Sequence, residues 1–81
     1  MHKLFDSFRK YPELRQCVIS LRSGTCFRGV IWKRTSDYLI VKNVEITHER
    51  GEIQKTKDGK FPRVDGEVFV GTNHIDFVQV L

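Results

Sequence analysis

The 81-residue chain has only two cysteines, no secretory segment and no apolar run of the roughly 18 residues that a membrane-spanning helix needs. A tight hairpin turn between the cysteines would pair Cys17 with Val30 and Cys26 with Leu21. The two sulfur atoms would then not face each other, so we expect no disulfide. These absences predict a soluble protein without a membrane partner, located in the cytoplasm, or inside a host cell if the protein is viral.

Motifs for catalysis and metal binding are also missing. The three histidines (His2, His48 and His74) and the two cysteines do not follow any metal-ligand spacing. The glycines do not form a phosphate-binding loop that leads into a helix. Asp37 next to Tyr38 has the chemistry of an acid–base pair, but a turn aspartate that accepts local backbone hydrogen bonds is far commoner. The sequence therefore predicts no enzyme activity, no catalytic residue, no metal and no cofactor.

Charge is divided unevenly along the chain. Residues 1–34 carry eight basic and two acidic side chains, a net charge of +6, whereas residues 35–81 carry six basic and eight acidic side chains, a net charge of −2. This division fits a basic face for a polyanion, charge matching between identical subunits, or a mixed solvated surface. A chain of this length is one domain with a small core, so association with other copies is a common source of additional stability.

The first segment, residues 1–15, is predicted to be an α-helix that Pro12 ends or kinks. Its apolar positions recur with helical period: Leu4, Phe5, Phe8 and Tyr11. Such a stripe most often covers the open end of a small core, and a partner-binding helix is the alternative.

Two strands over residues 17–21 and 25–32 are predicted to form a bent hairpin. Gly24 suits a turn position with positive φ, and Gly29 suits a bulge or sharp bend inside the second strand. A third strand over residues 38–46 has Leu39, Val41 and Asn43 on one face by simple alternation.

The rest of the chain continues this β pattern. Residues 48–67 form a long charged loop or extended hairpin whose tip is the Asp-Gly turn at 57–60. Short strands at 68–70 and 75–80 flank a turn at 71–74 and are expected to form a closing hairpin. The overall prediction is a mostly β chain: a small, strongly bent, five-stranded antiparallel barrel with an N-terminal α-helix.

This order of elements resembles the Sm-like (Lsm, Hfq-related) proteins. Leu21, Gly24, Phe27 and Gly29 match the first half of the first Sm motif. The resemblance covers nearly the whole chain as one domain. Its parts are the N-terminal helix at 1–15, the first motif at 16–47, the variable segment at 48–67 and the second motif at 68–81.

The resemblance implies a homo-oligomeric ring of six or seven subunits, because in this family the fourth strand of one copy pairs with the fifth strand of the next. Such pairing leaves no open sheet edge. The implied subunit contacts lie in the last two strands: Val68, Phe69, Val70, Ile75, Phe77 and Val78.

The chain departs from the family in the residues that bind uracil. Counted without gaps, Thr35 stands at the position of the family's aspartate and Leu39 at that of its asparagine. An insertion would place Asp37 at the aspartate position but would still supply no asparagine. Gly71 and Thr72 replace the family's Arg-Gly pair. We therefore expect no sequence-specific uridine recognition by the usual route.

A less specific binding site remains at the same two loops. Aromatic faces and basic side chains hold single-stranded nucleic acid without reading its sequence. We predict that this site binds single-stranded RNA weakly and with little sequence preference through Lys33, Arg34, Asp37, Tyr38, Asn73 and His74. The alternative is a structural or adaptor ring in a protein assembly, for example a phage particle, with other proteins as partners and no nucleic-acid recognition.

Overall fold

The computed structural model describes residues 14–81. The helix predicted for residues 1–15 lies outside the described residues except for Leu14 and Arg15, neither of which is helical. The described residues form seven strands and one 3-10 turn: β1 (Gln16–Leu21), β2 (Cys26–Arg34), β3 (Tyr38–Glu49), β4 (Glu52–Ile53), β5 (Arg63–Val64), β6 (Val68–Gly71), the 3-10 turn (Thr72–His74) and β7 (Ile75–Val80).

The strands form one antiparallel sheet in the order β4-β3-β2-β1-β7, with β5 and β6 also paired to β3. The long strand β3 pairs with β6 through its first part and with β5 and β4 through its second part. The mostly β, antiparallel architecture is confirmed. Two strands of two residues each, β4 and β5, are added to the five predicted strands. Within residues 14–81, no helix has the length and apolar character needed to cross a membrane.

The hairpin between β1 and β2 turns at Gly24, as predicted. Gly24 has φ of +92° and donates its N–H to the carbonyl of Leu21 at 3.0 Å. The register differs by one position from the prediction, because Cys26 pairs with Ser20 and Cys17 pairs with Gly29. Both thiols are free, and burial raises the pKa of the Cys17 thiol against a smaller opposing effect of the Arg15 charge.

Gly29 marks the bend of β2. A Cβ atom at this position would lie 2.7 Å from Cγ1 of Val41 and 2.8 Å from the carbonyl oxygen of Lys42. The pairing with β3 is irregular between Arg28 and Val30. The missing side chain therefore lets the backbones of β2 and β3 approach closely where both strands curve.

The predicted face of β3 is wrong beyond Val41. Asn43 has φ of +55° and is exposed, whereas Val44, which was expected on the opposite face, is 2% exposed and lies in the core. A residue in the left-handed conformation breaks the two-residue alternation of a strand. Leu39, Val41 and Val44 therefore share the buried face.

The prediction that the last two strands form a closing hairpin is also wrong. β6 pairs with β3, and β7 pairs with β1, so the last two strands are not partners. The 3-10 turn carries the chain from one side of the curled sheet to the other, and the N–H of Arg22 donates to the carbonyl of His74 at 2.9 Å. The curled sheet encloses one apolar core: Cys17, Ile19, Phe27, Ile31, Leu39, Val41, Val44, Val70 and Ile75.

The segment 48–67 turns at the predicted tip. Thr56 donates its N–H to the carbonyl of Lys60 at 2.7 Å, and the hydroxyl of Thr56 donates to the carboxylate of Asp58. This hydroxyl contact lowers the pKa of Asp58. The two short strands of the segment, β4 and β5, pair with β3 and not with each other.

Candidate nucleic-acid interface

The loop after β2 and the 3-10 turn before β7 are joined by Thr72. Its N–H donates to the carbonyl of Asp37 at 2.9 Å, and its hydroxyl lies 3.1 Å from the carbonyls of both Ser36 and Asp37. The predicted convergence of these two loops is thus present in the structure. The hydrogen bonds that produce it come from Thr72, a residue for which the sequence indicated only that it replaces part of the family's Arg-Gly pair.

Thr35 shapes the first of the two loops. Its hydroxyl accepts hydrogen bonds from the N–H groups of Asp37 and Tyr38 at 3.2 and 3.1 Å, and its own N–H donates to the carbonyl of Tyr38. A threonine side chain commonly fixes a turn in this way. The side chain of Thr35 therefore fixes the backbone of this loop.

Tyr38 packs against Phe69. The two ring centroids are 5.1 Å apart with the planes tilted by 42°. Tyr38 is half-buried, and Phe69 is 59% exposed on the edge of β6. Phe69 was predicted only as a subunit contact, because the pairing of β3 with β6 that brings the two rings together could not be known from spacing.

Asn73 and His74 lie close to the same place. Gly71 is the strand partner of Tyr38, and a Cβ atom on Gly71 would lie 3.0 Å from Cδ2 of His74 and 3.1 Å from Oδ1 of Asn73. The absence of a side chain at Gly71 therefore leaves room for the Asn73 amide and the His74 imidazole next to the strand partner of Tyr38. These groups can stack on a base and exchange hydrogen bonds with it.

The two basic residues of the predicted site lie at alternating positions. Lys33 is exposed and pairs with Ile40, whereas Arg34 pairs with the fully buried Leu39. Nε of Arg34 is buried and has no hydrogen-bond partner among the described residues. Lys33 therefore shares the outer face of the sheet with Tyr38. Arg34 occupies the strand position next to it, on the inner face that carries Leu39.

The residues predicted to form subunit contacts divide into two groups. Val70 and Ile75 belong to the core, and Val68 and Val78 pack against it. Phe69 on β6 and Phe77 on β7 are 59% and 50% exposed. Among the described strands, β6 has β3 as its only neighbour and β7 has only β1.

No group of three or more histidine, cysteine, aspartate or glutamate side chains within residues 14–81 is placed to hold a metal ion. The side chains gathered at the two loops are instead aromatic, amide and imidazole groups.

Comparison with known proteins identifies a structure with a similar fold. No protein-family model matches the sequence, and no curated protein matches it. The structure is similar to the crystal structure of a heptameric archaeal Sm protein, with a TM-score of 0.64 and 18% sequence identity. The match covers 100% of this chain and 98% of that chain.

The chain has an Sm-like fold. The fold resemblance predicted from Leu21, Gly24, Phe27 and Gly29 is confirmed. In the Sm-like fold of this chain, Thr72 holds the two loops together, and Tyr38, Asn73 and His74 lie at their junction.

Proposed function

We propose that this chain is a non-enzymatic, ring-forming Sm-like protein that binds single-stranded RNA weakly and with little sequence preference at the loop junction. The observation that carries the proposal is the contact set around Gly71. Gly71 is the strand partner of Tyr38 and lies close to the side chains of Asn73 and His74, next to the hydrogen bonds by which Thr72 joins the loops.

Ring formation is supported by the two edge strands. β6 and β7 each have one neighbouring strand in the described chain, and each carries one exposed phenylalanine. Pairing of β6 with β7 of the next copy would bring the exposed rings of Phe69 and Phe77 of adjacent subunits together. The heptameric state of the archaeal Sm protein favours a ring of six or seven.

An apolar cavity supports the same arrangement. It has a volume of about 350 Å³, and three residues of β6 contribute to its lining: Val68, Phe69 and Val70. A strand from the next copy, added at the β6 edge, would lie next to these three residues. Ile75, Phe77 and Val78 would lie on that added strand, and the exposed ring of Phe77 would extend the apolar contact.

RNA binding is supported by the chemistry of the loop junction. Stacking of a base on an aromatic side chain is worth about 1–3 kcal/mol. Tyr38 supplies the ring, Asn73 and His74 supply hydrogen-bonding groups, and Lys33 and Arg34 supply positive charge for phosphates. Asp37 orients the junction through its carbonyl, which accepts hydrogen bonds from Thr72.

Low sequence preference follows from what replaces the family's uracil contacts. Leu39 is fully buried and apolar, so its side chain has no hydrogen bond to offer a base. Gly71 has no side chain that could stack on one. The remaining polar groups can contact any of the four bases.

Fluorescence anisotropy with labelled uridine-rich and adenosine-rich RNA at low salt tests this proposal. We expect Tyr38→Ala and Arg34→Ala to weaken binding of both RNAs, the former by about 5- to 160-fold if stacking carries about 1–3 kcal/mol. Lys60→Ala, which removes an exposed positive charge at the tip of the 48–67 segment, is the matched control. Identical curves for all proteins would remove the loop junction as the RNA site.

A structural or adaptor ring, for example in a phage or other macromolecular particle, is the second candidate function. The exposed side chain of Ile53, at 65%, on the charged 48–67 segment favours it. Purified protein free of nucleic-acid absorbance at 260 nm, together with the absence of salt-sensitive oligonucleotide binding, would support this alternative.

A further inference from the structure

Trp32, the only tryptophan of the chain, lies on the outer face of the sheet and is 47% exposed. It occupies an irregular position of β2 between Ile31 and Lys33. Nζ of Lys42 lies 3.9 Å from the centroid of the indole ring, and also 3.8 Å from the carboxylate of Glu67. A cation and an aromatic ring are therefore held together at an exposed point.

A second pairing of ring and cations lies further along β2. Cζ of Arg28 is 5.0 Å from the centroid of the Phe61 ring, and Nζ of Lys55 is 5.5 Å from it. Arg28 also donates from Nε to Oε1 of Glu45 at 2.8 Å, and Arg63 is the strand partner of Glu45.

These two groups share one face of the sheet. Arg28 and Val30 alternate with the buried Phe27 and Ile31, and Val30 is the strand partner of Lys42. Strand pairing and contacts place five basic and two acidic side chains here: Arg28, Lys33, Lys42, Lys55 and Arg63, with Glu45 and Glu67.

We propose that this outer face of β2 and β3 is a second binding surface, for single-stranded nucleic acid. A base stacks on Trp32 while Lys42 exchanges its contact with Glu67 for a phosphate. Arg28, Lys55 and Arg63 contact phosphates further along the strand. Aromatic faces interleaved with positive charges fit this ligand because every base has a face to stack and every nucleotide carries a negative charge.

The surface is separate from the loop junction. Neither Trp32 nor Lys42 contributes to the contacts around Gly71, and Lys33 is the one residue common to both sets. The inference thus goes beyond the proposed function, and the two can be tested independently.

Because Trp32 is the only tryptophan, its fluorescence reports directly on this surface. Titration of the full chain at low salt with RNA and, separately, with DNA single strands is expected to quench the emission in a saturable way, and added salt should reverse the quenching. Lys42→Glu should weaken the affinity measured from this quenching at least fivefold. Lys57→Glu, the same charge reversal at an exposed lysine near the tip of the 48–67 segment, should leave it unchanged. Tyr38→Ala should also retain it, whether or not the loop junction binds RNA.

Three results would overturn the proposal. Oligonucleotide binding detected by anisotropy without any change in Trp32 emission would place the ligand elsewhere. Resistance of Trp32 to quenching by acrylamide in the free protein would mean that another part of the chain, or another copy, covers this face. If the quenching titration of Lys42→Glu matched that of the parent protein, Lys42 would not contribute to binding. Lys42→Glu keeps the native tryptophan, so the test does not depend on a Trp32 variant that folds.

Discussion

Thr72 donates both its backbone N–H and its side-chain hydroxyl to the carbonyl of Asp37, at 2.9 and 3.1 Å. One residue of the 3-10 turn thereby fixes the loop after β2. Replacement of Thr72 by valine keeps the shape of the side chain and the N–H contact but removes the hydroxyl.

We expect Thr72→Val to lower the free energy of unfolding by about 1 kcal/mol, since a typical hydrogen bond contributes about 0.5–1.5 kcal/mol. RNA affinity should fall as well, because the loop junction loses part of its support. Urea denaturation and anisotropy measure the two effects. Thr72→Ser is the control and should behave like the parent protein; a valine variant with parental stability and RNA affinity would show that the hydroxyl does not organise the junction.

Gly29 should tolerate no side chain. The Cβ atom of Gly29→Ala would lie 2.7 Å from Cγ1 of Val41 and 2.8 Å from the backbone of Lys42, both in the curved centre of the sheet. We expect a loss of about 3 kcal/mol or complete unfolding, as measured by urea denaturation.

Gly59→Ala provides the comparison. Its Cβ atom would meet nothing within 4 Å, but the residue has φ of +79°. Backbone strain alone predicts a loss of about 1 kcal/mol. Equal losses for the two variants would contradict the steric explanation at Gly29.

Gly24 and Gly29 show how much of the fold could be predicted from the sequence. Gly24 is required by a local turn and Gly29 by a local bend, so spacing alone located both. Asn43 could not be placed, because the alternation rule gives no sign of a left-handed residue inside a strand. The partners of β6 and β7 could not be assigned, because each pairs with a strand distant in sequence.

In the candidate site, too, local features could be predicted from the sequence, whereas contacts between distant parts of the chain could not. The convergence of the two loops was predicted from the family resemblance, but the role of Thr72 depends on backbone carbonyls that no motif describes. The contact between Tyr38 and Phe69 depends on the pairing of β3 with β6. The outer position of Trp32 follows from the irregular register of β2, which a residue pattern does not reveal.

The buried thiol of Cys17 should make stability depend on alkaline pH. Burial raises its pKa in the folded state, so the unfolded chain loses this proton first as pH rises. The stabilisation is complete at neutral pH and declines above about pH 8.5, the usual thiol value. Unfolding measured between pH 7 and 10 should show a smaller loss for Cys17→Ala than for the parent. Cys26→Ala keeps Cys17 in place and should show the parental loss; the same slope in all three would contradict the assignment to Cys17.

Single charges at the sheet edges should break the ring. Phe69→Arg and Phe77→Arg each replace an exposed ring, whose burial in a subunit contact is worth about 1.5–3 kcal/mol, with a charge that such a contact would desolvate. Each variant should sediment as a smaller species than the parent. Ile53→Arg makes the same change on the 48–67 segment and should leave the assembly intact. Dissociation of Ile53→Arg alone would move the contact to that segment.

The mass of the native assembly tests the ring most directly. Multi-angle light scattering on the purified chain, across a range of concentrations, should give six or seven times the mass of one chain. A mass equal to one chain at the highest concentration would contradict pairing of β6 with β7 between copies.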